Sequence, residues 1–172
     1  MLHIRDAGEA DLPAILAIYN HAIETTTAVF TYTPHTMEMR REWFADKQAT
    51  GYPVLVAEAD SVIAGFATYG PFRAWPAYRY SVEHSVYVAG TARRQGIARR
   101  LMGVLLERAR AQDFHVVIGG IVSENAPSLA LHEALGFEKV AHFRQVGYKF
   151  ARWLDLTFVQ VVLDTPREPV ER

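Results

Sequence analysis

Residues 86–99 hold the stretch best equipped for chemistry. A β-forming run, Val86-Tyr87-Val88, leads through a loop into Arg93-Arg94-Gln95-Gly96-Ile97-Ala98-Arg99, where a helix begins at once. The first turn of a helix leaves its N–H groups without intrahelical acceptors and carries partial positive charge, which suits a diphosphate. Gly96 and Ala98 are small enough to let such a group approach the backbone. No Gly-Lys-[Ser/Thr] follows and G-x-G-x-x-G is absent, so neither a Walker A loop nor a dinucleotide fingerprint is present. The plainer reading is an ordinary helix start on a solvated, arginine-rich face, and Arg99 and Arg100 fit that as well.

Just upstream, period-two alternation puts Glu83, Ser85 and Tyr87 on one face of a strand and Val82, His84, Val86 and Val88 on the other. A carboxylate in the middle of such a strand is costly unless it has a partner or a task. Glu83 is therefore either salt-bridged to one of the many arginines or a proton acceptor. His132 has the side chain that titrates nearest neutrality. It reads as a proton-moving group or as a structural histidine on the sheet-facing side of a helix. It belongs to no zinc motif, because Ala134-Leu135-Gly136 supplies no second histidine for H-E-x-x-H. In the loop Phe72-Arg73-Ala74-Trp75-Pro76-Ala77-Tyr78, Arg73 offers a planar fork for a carboxylate, sulfone or phosphinate oxygen. Trp75 and Tyr78 can pack substrate methylenes there, or form a satellite core beneath the loop.

These residues need a scaffold, and the periodicities supply one. A strand at residues 2–5 precedes a helix marked by Leu12, Ile15, Leu16, Tyr19 and Ile23, which Thr25-Thr26-Thr27 interrupts. A second helix is capped by Thr36, runs through Met39, Trp43 and Phe44, and ends at Gly51. Residues 54–58 and 62–69 read as a hairpin turning at Asp60-Ser61, followed by a loop over 70–80 and a strand over Ser81–Val88. A helix from Ile97 buries Leu101, Val104, Leu105 and Ala109, and a strand follows at Val116–Val122. A helix over 127–135 stops at Gly136, and strands over 138–147 and 153–163 complete the order β-α-α-β-β-β-α-β-α-β-β. The expected class is α/β (α+β), a mixed sheet with helices on its faces, as one domain over residues 1–163. The polar, proline-broken residues 164–172 are expected to fray.

At 172 residues the chain can bury a core without staples. It has no cysteine, which excludes disulfides, thiolate nucleophiles and cysteine-ligated metals and fits a reducing cytoplasm. Eighteen Lys and Arg stand against nineteen Asp and Glu, a balance that gives no electrostatic footprint for nucleic acid. Only Lys47, Lys139 and Lys149 are lysines, so the basic side is almost all arginine, suited to bidentate recognition. No apolar run approaches a membrane span, and residues 1–6 lack the regions of a signal peptide. The expectation is a soluble cytoplasmic protein.

Arg93-x-x-Gly96-x-Ala98 resembles the [Gln/Arg]-x-x-Gly-x-[Gly/Ala] loop of the GNAT superfamily of N-acetyltransferases, in the required place between strand and helix. Asn125 with Ser128, opening a helix that ends in Leu135-Gly136-Phe137, resembles that family's second acetyl-CoA motif. Four further matches are similar to the phosphinothricin acetyltransferase subfamily and extend from about residue 3 to 163. They are Asn20-His21-x-Ile23-x-x-Thr26-x-x-x-Phe30, Val82-Glu83-His84-Ser85-Val86-Tyr87-Val88, Leu131-His132-Glu133-Ala134-Leu135-Gly136 and Gly147-Tyr148-Lys149-x-x-x-Trp153-x-Asp155. Phe72-Arg73, with Lys149-Phe150-x-Arg152-Trp153-Leu154-Asp155, resembles the branch acting on methionine sulfoximine and methionine sulfone.

The resemblance implies a GNAT fold whose mixed, mostly antiparallel twisted sheet carries helices on both faces. It implies acetyl-CoA as co-substrate, no metal, and transfer to the α-amine of a small amino acid. Glu83 would act as general base. His132 stands where most of the superfamily carries a tyrosine that protonates the departing thiolate, so it would be the acid or assist the base. Backbone groups of Val86, Tyr87 and Val88 would hold the acetyl and pantetheine end, the Val88 amide forming the oxyanion site. Residues Arg93, Arg94, Gln95, Gly96, Ile97, Ala98 and Arg99 would cradle the diphosphate, and Asn125 with Ser128 the pantetheine. Phe30, Arg73, Trp75 and Tyr78 would line the substrate pocket. The phosphinothricin enzymes carry another basic residue about where Trp75 stands, a departure that weighs against phosphinothricin itself. Asn20 and His21 read as structural, and a homodimer formed by the last strands is implied. Two alternatives stand beside this: a protein or peptide N-terminal acetyltransferase, and a non-catalytic acyl-CoA-binding regulatory module.

Overall fold

A computed structural model of the chain describes residues 2–171. Met1 and Arg172, the outer ends of the expected domain and tail, lie outside the described residues. The strands are β1 (Leu2–Asp6), β2 (Val54–Ala59), β3 (Val62–Pro71), β4 (Ser81–Val88), β5 (Val116–Val122), β6 (Glu138–Lys149) and β7 (Arg152–Val162). The helices are α1 (Leu12–Thr25), α2 (Met37–Thr50), α3 (Ile97–Ala111) and α4 (Ala126–Glu133). The strands form one sheet in the order β1-β2-β3-β4-β5-β7-β6, antiparallel everywhere except at β4–β5. This is the mixed, mostly antiparallel architecture expected. Among the described residues no helix is long and apolar enough to cross a membrane.

Alternation along the central strands makes two cores. Leu55, Ala57, Ala67, Tyr69 and Val82 face α3, whose Leu101, Met102, Leu105 and Ala109 are wholly buried. Val54, Val56 and Phe66 face the other way, against Leu12, Ile15 and Ile18 of α1 and Phe44 of α2. Each such aliphatic side chain removed from water stabilises by about 1.5–3 kcal/mol. Helix ends follow local chemistry: the Thr36 hydroxyl accepts from the Met39 N–H, and Gly51 closes α2 in the left-handed region.

Element boundaries differ most near the C-terminus. Helix α4 stops at Glu133, two residues early, and Gly136 takes φ of 86° beyond it. Strands β6 and β7 extend toward each other to a two-residue turn at Phe150-Ala151, both at positive φ. The tail makes hydrogen bonds to the domain. The Thr165 hydroxyl donates to the Phe114 carbonyl at 2.6 Å, and Val170 exchanges hydrogen bonds with the Tyr80 hydroxyl.

One break in the sheet positions everything that follows. The parallel strands β4 and β5 pair only from Ser81↔Val116 to Glu83↔Ile118, and then splay. The Ala89 N–H bonds to the Ala64 carbonyl around the pair Gly65↔Val88, so in β4 the odd residues spend their backbone groups on β3. The backbone groups of Val86 and Val88 therefore face the opening.

Candidate active site

The splay widens into a groove of about 730 Å³. Its walls are the end of α1, residues 86–88 of β4, the start of α3 and the start of α4. Arg94 and Gly96 both adopt positive φ, curling the loop so that α3 begins with its axis toward the groove. The Arg100 N–H makes the first helical bond, to Gly96, which leaves the N–H groups of Gly96, Ile97, Ala98 and Arg99 ahead of it. That is the donor set a diphosphate requires.

Of the twelve residues expected to hold acetyl-CoA, Val86, Tyr87, Val88, Arg93, Arg94, Gly96, Ile97, Ala98, Arg99, Asn125 and Ser128 line this groove, and Gln95 does not. One correction applies to Tyr87. Its N–H and C=O belong to the ladder with Phe66, so it offers no backbone group to the opening. Its ring packs instead on Tyr19 and Phe66. Asn125 also caps α4, its side-chain oxygen accepting the Ser128 N–H at 3.2 Å.

Sequence reasoning missed the groove's other wall. Thr25, Thr26, Thr27 and Ala28 line it, as do Glu124 and Arg152, which form an ion pair at its rim. The irregular segment after α1 is held by Lys149, only 4% exposed, whose ammonium donates to the carbonyls of Ile23 (2.6 Å), Thr26 (3.0 Å) and Val29 (2.8 Å). Burial pulls the Lys149 pKa down, and the three carbonyls hold its charged form in place. The available signal was the Gly147-Tyr148-Lys149 match, which carried no role.

The groove's inner end is a pocket of about 90 Å³ between β4 and β5, bordered by Ser85, Gly120, Asn125, Ser128, His84 and His132. Glu83 leaves β4 on the α1 face, with its carboxylate over Gly120. A Cβ at Gly120 would stand 3.3 Å from Glu83 Oε1, so glycine leaves that side of β5 open. Burial pushes the Glu83 carboxyl up from its ordinary range, and the Arg73 guanidinium pulls it back. His132 lies beyond the opposite face, 1% exposed, with Nδ1 2.7 Å from the Ser128 carbonyl and Nε2 3.1 Å from His84 Nε2. Burial lowers its pKa, so it is neutral near pH 7.

The expected substrate residues gather less completely. The Arg73 guanidinium sits 4.2 Å from the Phe72 ring centroid and acts electrostatically on Glu83. Phe72 meets Tyr78 and Phe158 edge-on, so Phe158 joins a wall that sequence reasoning did not include. Trp75 is 74% exposed, and Phe30 lies against Gly147 of β6. The structure thus brings a helix start with free N–H groups and unpaired β4 backbone to one opening, with the half-buried Glu83 carboxylate over Gly120 beside its inner end; Glu83, Arg73, Trp75, Tyr78 and Phe30 are not among the residues that line it. These parts suit acyl transfer to an amine: a charged tail is anchored, a carbonyl oxygen can be met by an N–H, and a proton can be taken.

Comparison with known proteins agrees with the geometry. Residues 4–158 match the acetyltransferase (GNAT) domain family. The L-methionine sulfoximine/L-methionine sulfone acetyltransferase of Pseudomonas aeruginosa is 50% identical over 165 residues, 95% of this chain and 96% of that protein. The structure of yncA from Salmonella typhimurium with its cofactor acetyl-CoA superposes with a TM-score of 0.96 at 44% identity, covering 99% of this chain and 98% of that one. The ribosomal-protein-alanine N-acetyltransferase structure from Brucella melitensis has a TM-score of 0.92 at 50% identity, covering 94% and 99%.

Proposed function

The chain belongs to the GNAT acetyltransferase family, and from that premise we propose that it acetylates the α-amine of a small amino acid analogue of the methionine sulfone and sulfoximine kind, using acetyl-CoA. The observation that carries this reading is the Glu83 carboxylate held over Gly120, which borders the inner pocket. A carboxylate able to take the ammonium proton lies within electrostatic reach of a fork that fits a carboxylate or sulfone oxygen. The identity to the Pseudomonas aeruginosa enzyme supports the same substrate class.

Acetyl-CoA supplies the thioester whose acetyl group is transferred. The N–H groups at the start of α3 bind its diphosphate, Val86 and Val88 meet its acyl end, and the Val88 N–H serves the carbonyl oxygen as charge develops. Glu83 receives the amine's proton. The half-buried setting that raises its pKa also makes it a better base than an exposed carboxylate. His132 borders the inner pocket together with His84.

A second reading, acetylation of a peptide or protein N-terminus, draws support from the likeness to the Brucella melitensis structure. Release of free CoA thiol separates the two, and the cysteine-free chain adds no background. Turnover is expected with methionine sulfone and methionine sulfoximine, weakly or not at all with phosphinothricin, and not with a short peptide. Turnover of the peptide alone would replace the small-molecule reading. Binding of acetyl-CoA with no turnover of any amine would leave a regulatory module.

The reading includes a cytoplasmic homodimer. Strand β6 is a sheet edge, and Val140, Phe143, Val146 and Tyr148 on it, with Trp153 on β7, are all about half exposed or more. An apolar edge strand is a liability unless another chain covers it. Sedimentation equilibrium is expected to give twice the chain mass, and a monomer at micromolar concentration would refute it.

A further inference from the structure

The buried contact between His84 and His132 limits what His132 can do. The Ser128 carbonyl only accepts, so at 2.7 Å it fixes the His132 proton on Nδ1. The remaining nitrogen, Nε2, is then a bare lone pair, and the group facing it at 3.1 Å is His84 Nε2. Two bare nitrogens at that distance would repel, so His84 carries its proton on Nε2 and donates it. The rings are 19° from parallel with centroids 4.9 Å apart, and Phe137 packs edge-on against both.

The neighbourhood makes this arrangement the stable one. A Cβ at residue 119 would stand 2.5 Å from His84 Nε2, so Gly119 of β5 is what lets His84 reach its partner. His84 Nδ1 is buried with no hydrogen-bond partner among the described residues. For His132 to gain a proton on Nε2, His84 would have to move its own proton to that enclosed Nδ1. Among the described residues the titratable group in contact with each ring is the other imidazole, and Glu83 projects from the opposite face of β4. Burial pushes the His84 pKa down to about 3, so that ring stays neutral.

We propose that His84 is a positioning residue that takes His132 out of proton transfer, by donating to its only free lone pair while Ser128 holds its only proton. His132 then shapes the inner pocket as a neutral, doubly engaged ring, and Glu83 is the one side chain of the site that moves a proton. This rests on the acetyltransferase reading and refines it: His132 is neither the acid for the departing thiolate nor a second base.

Imidazole ¹⁵N–¹H correlation spectra of the full-length protein test it directly. His132 is expected to show protonated Nδ1 and unprotonated Nε2, unchanged across about pH 5.5–7.5, where a free imidazole titrates. In His84→Ala, where water can reach Nε2, His132 is expected to begin titrating in that range. Gly119→Ala, which displaces His84 and keeps both rings, is expected to do the same. His132→Gln is expected to lose much less kcat than Glu83→Gln. A wild-type His132 that titrates, or protonates on Nε2, overturns the proposal. So does a folded, acetyl-CoA-binding His132→Gln variant as impaired as Glu83→Gln. Should Glu83→Gln itself be silent, the base assignment fails, while the spectra still decide the state of His132.

Discussion

Glu83→Gln is expected to lower kcat by on the order of 10²-fold, about 2.7 kcal/mol of barrier, while the affinity for acetyl-CoA stays unchanged. Gln matches the shape of Glu and keeps an amide over Gly120, so the inner pocket is preserved and only the proton acceptor is lost. The diphosphate site proposed at the start of α3 is on separate residues, and titration calorimetry with acetyl-CoA reads it independently. The deficit is expected to narrow at alkaline pH, where the substrate amine is already neutral. In the wild type, burial has pushed the Glu83 carboxyl up. The base works only when ionised, so kcat/KM is expected to fall on acidification at a pH above the ordinary carboxylate range. Stability has the opposite sign. A carboxyl whose folded pKa exceeds its unfolded value makes the fold less stable as pH rises through that window. Glu83→Gln removes that ionisation, so its Tm at neutral pH is expected to equal or exceed the wild type's. An unchanged kcat would remove Glu83 from the mechanism.

What the sequence made legible was what short-range rules encode. Alternation in β4 placed Glu83 and His84 on opposite faces, and the loop before Ile97 read as running straight into a helix, which begins there. Thr36 and Gly51 bounded α2 where capping chemistry puts them. Phe150-Ala151 failed to read as a turn because neither residue favours positive φ, so β6 and β7 were expected to stop short. The site's long-range contacts were not legible either. The His84–His132 contact joins residues 48 apart, and the Lys149 contacts join residues up to 126 apart. Nothing local in either segment names its partner. Tyr87 was assigned a backbone role that only the β3 register could refuse.

Lys149→Met is expected to cost about 3 kcal/mol or more of stability, because it leaves buried carbonyls without a donor at up to about 1–3 kcal/mol each. For a chain of 172 residues that corresponds to a fall in Tm of about 6–12 °C. Met preserves most of the apolar stem, so the loss reports the ammonium rather than a cavity. The carbonyls of Ile23, Thr26 and Val29 lie where α1 ends and no strand takes over, and the ammonium substitutes for the missing backbone partners. The two residues before it act on the same segment: Gly147 makes room for Phe30, and the Tyr148 carbonyl accepts the Tyr32 hydroxyl at 2.5 Å. Because Thr25 to Ala28 form one wall of the groove proposed to take acetyl-CoA, loosening them is expected to raise KM for acetyl-CoA more than it lowers kcat. Thermal unfolding and initial rates at varied acetyl-CoA measure the two effects separately. A Tm within a degree or two of the wild type would show that the three carbonyls find other donors.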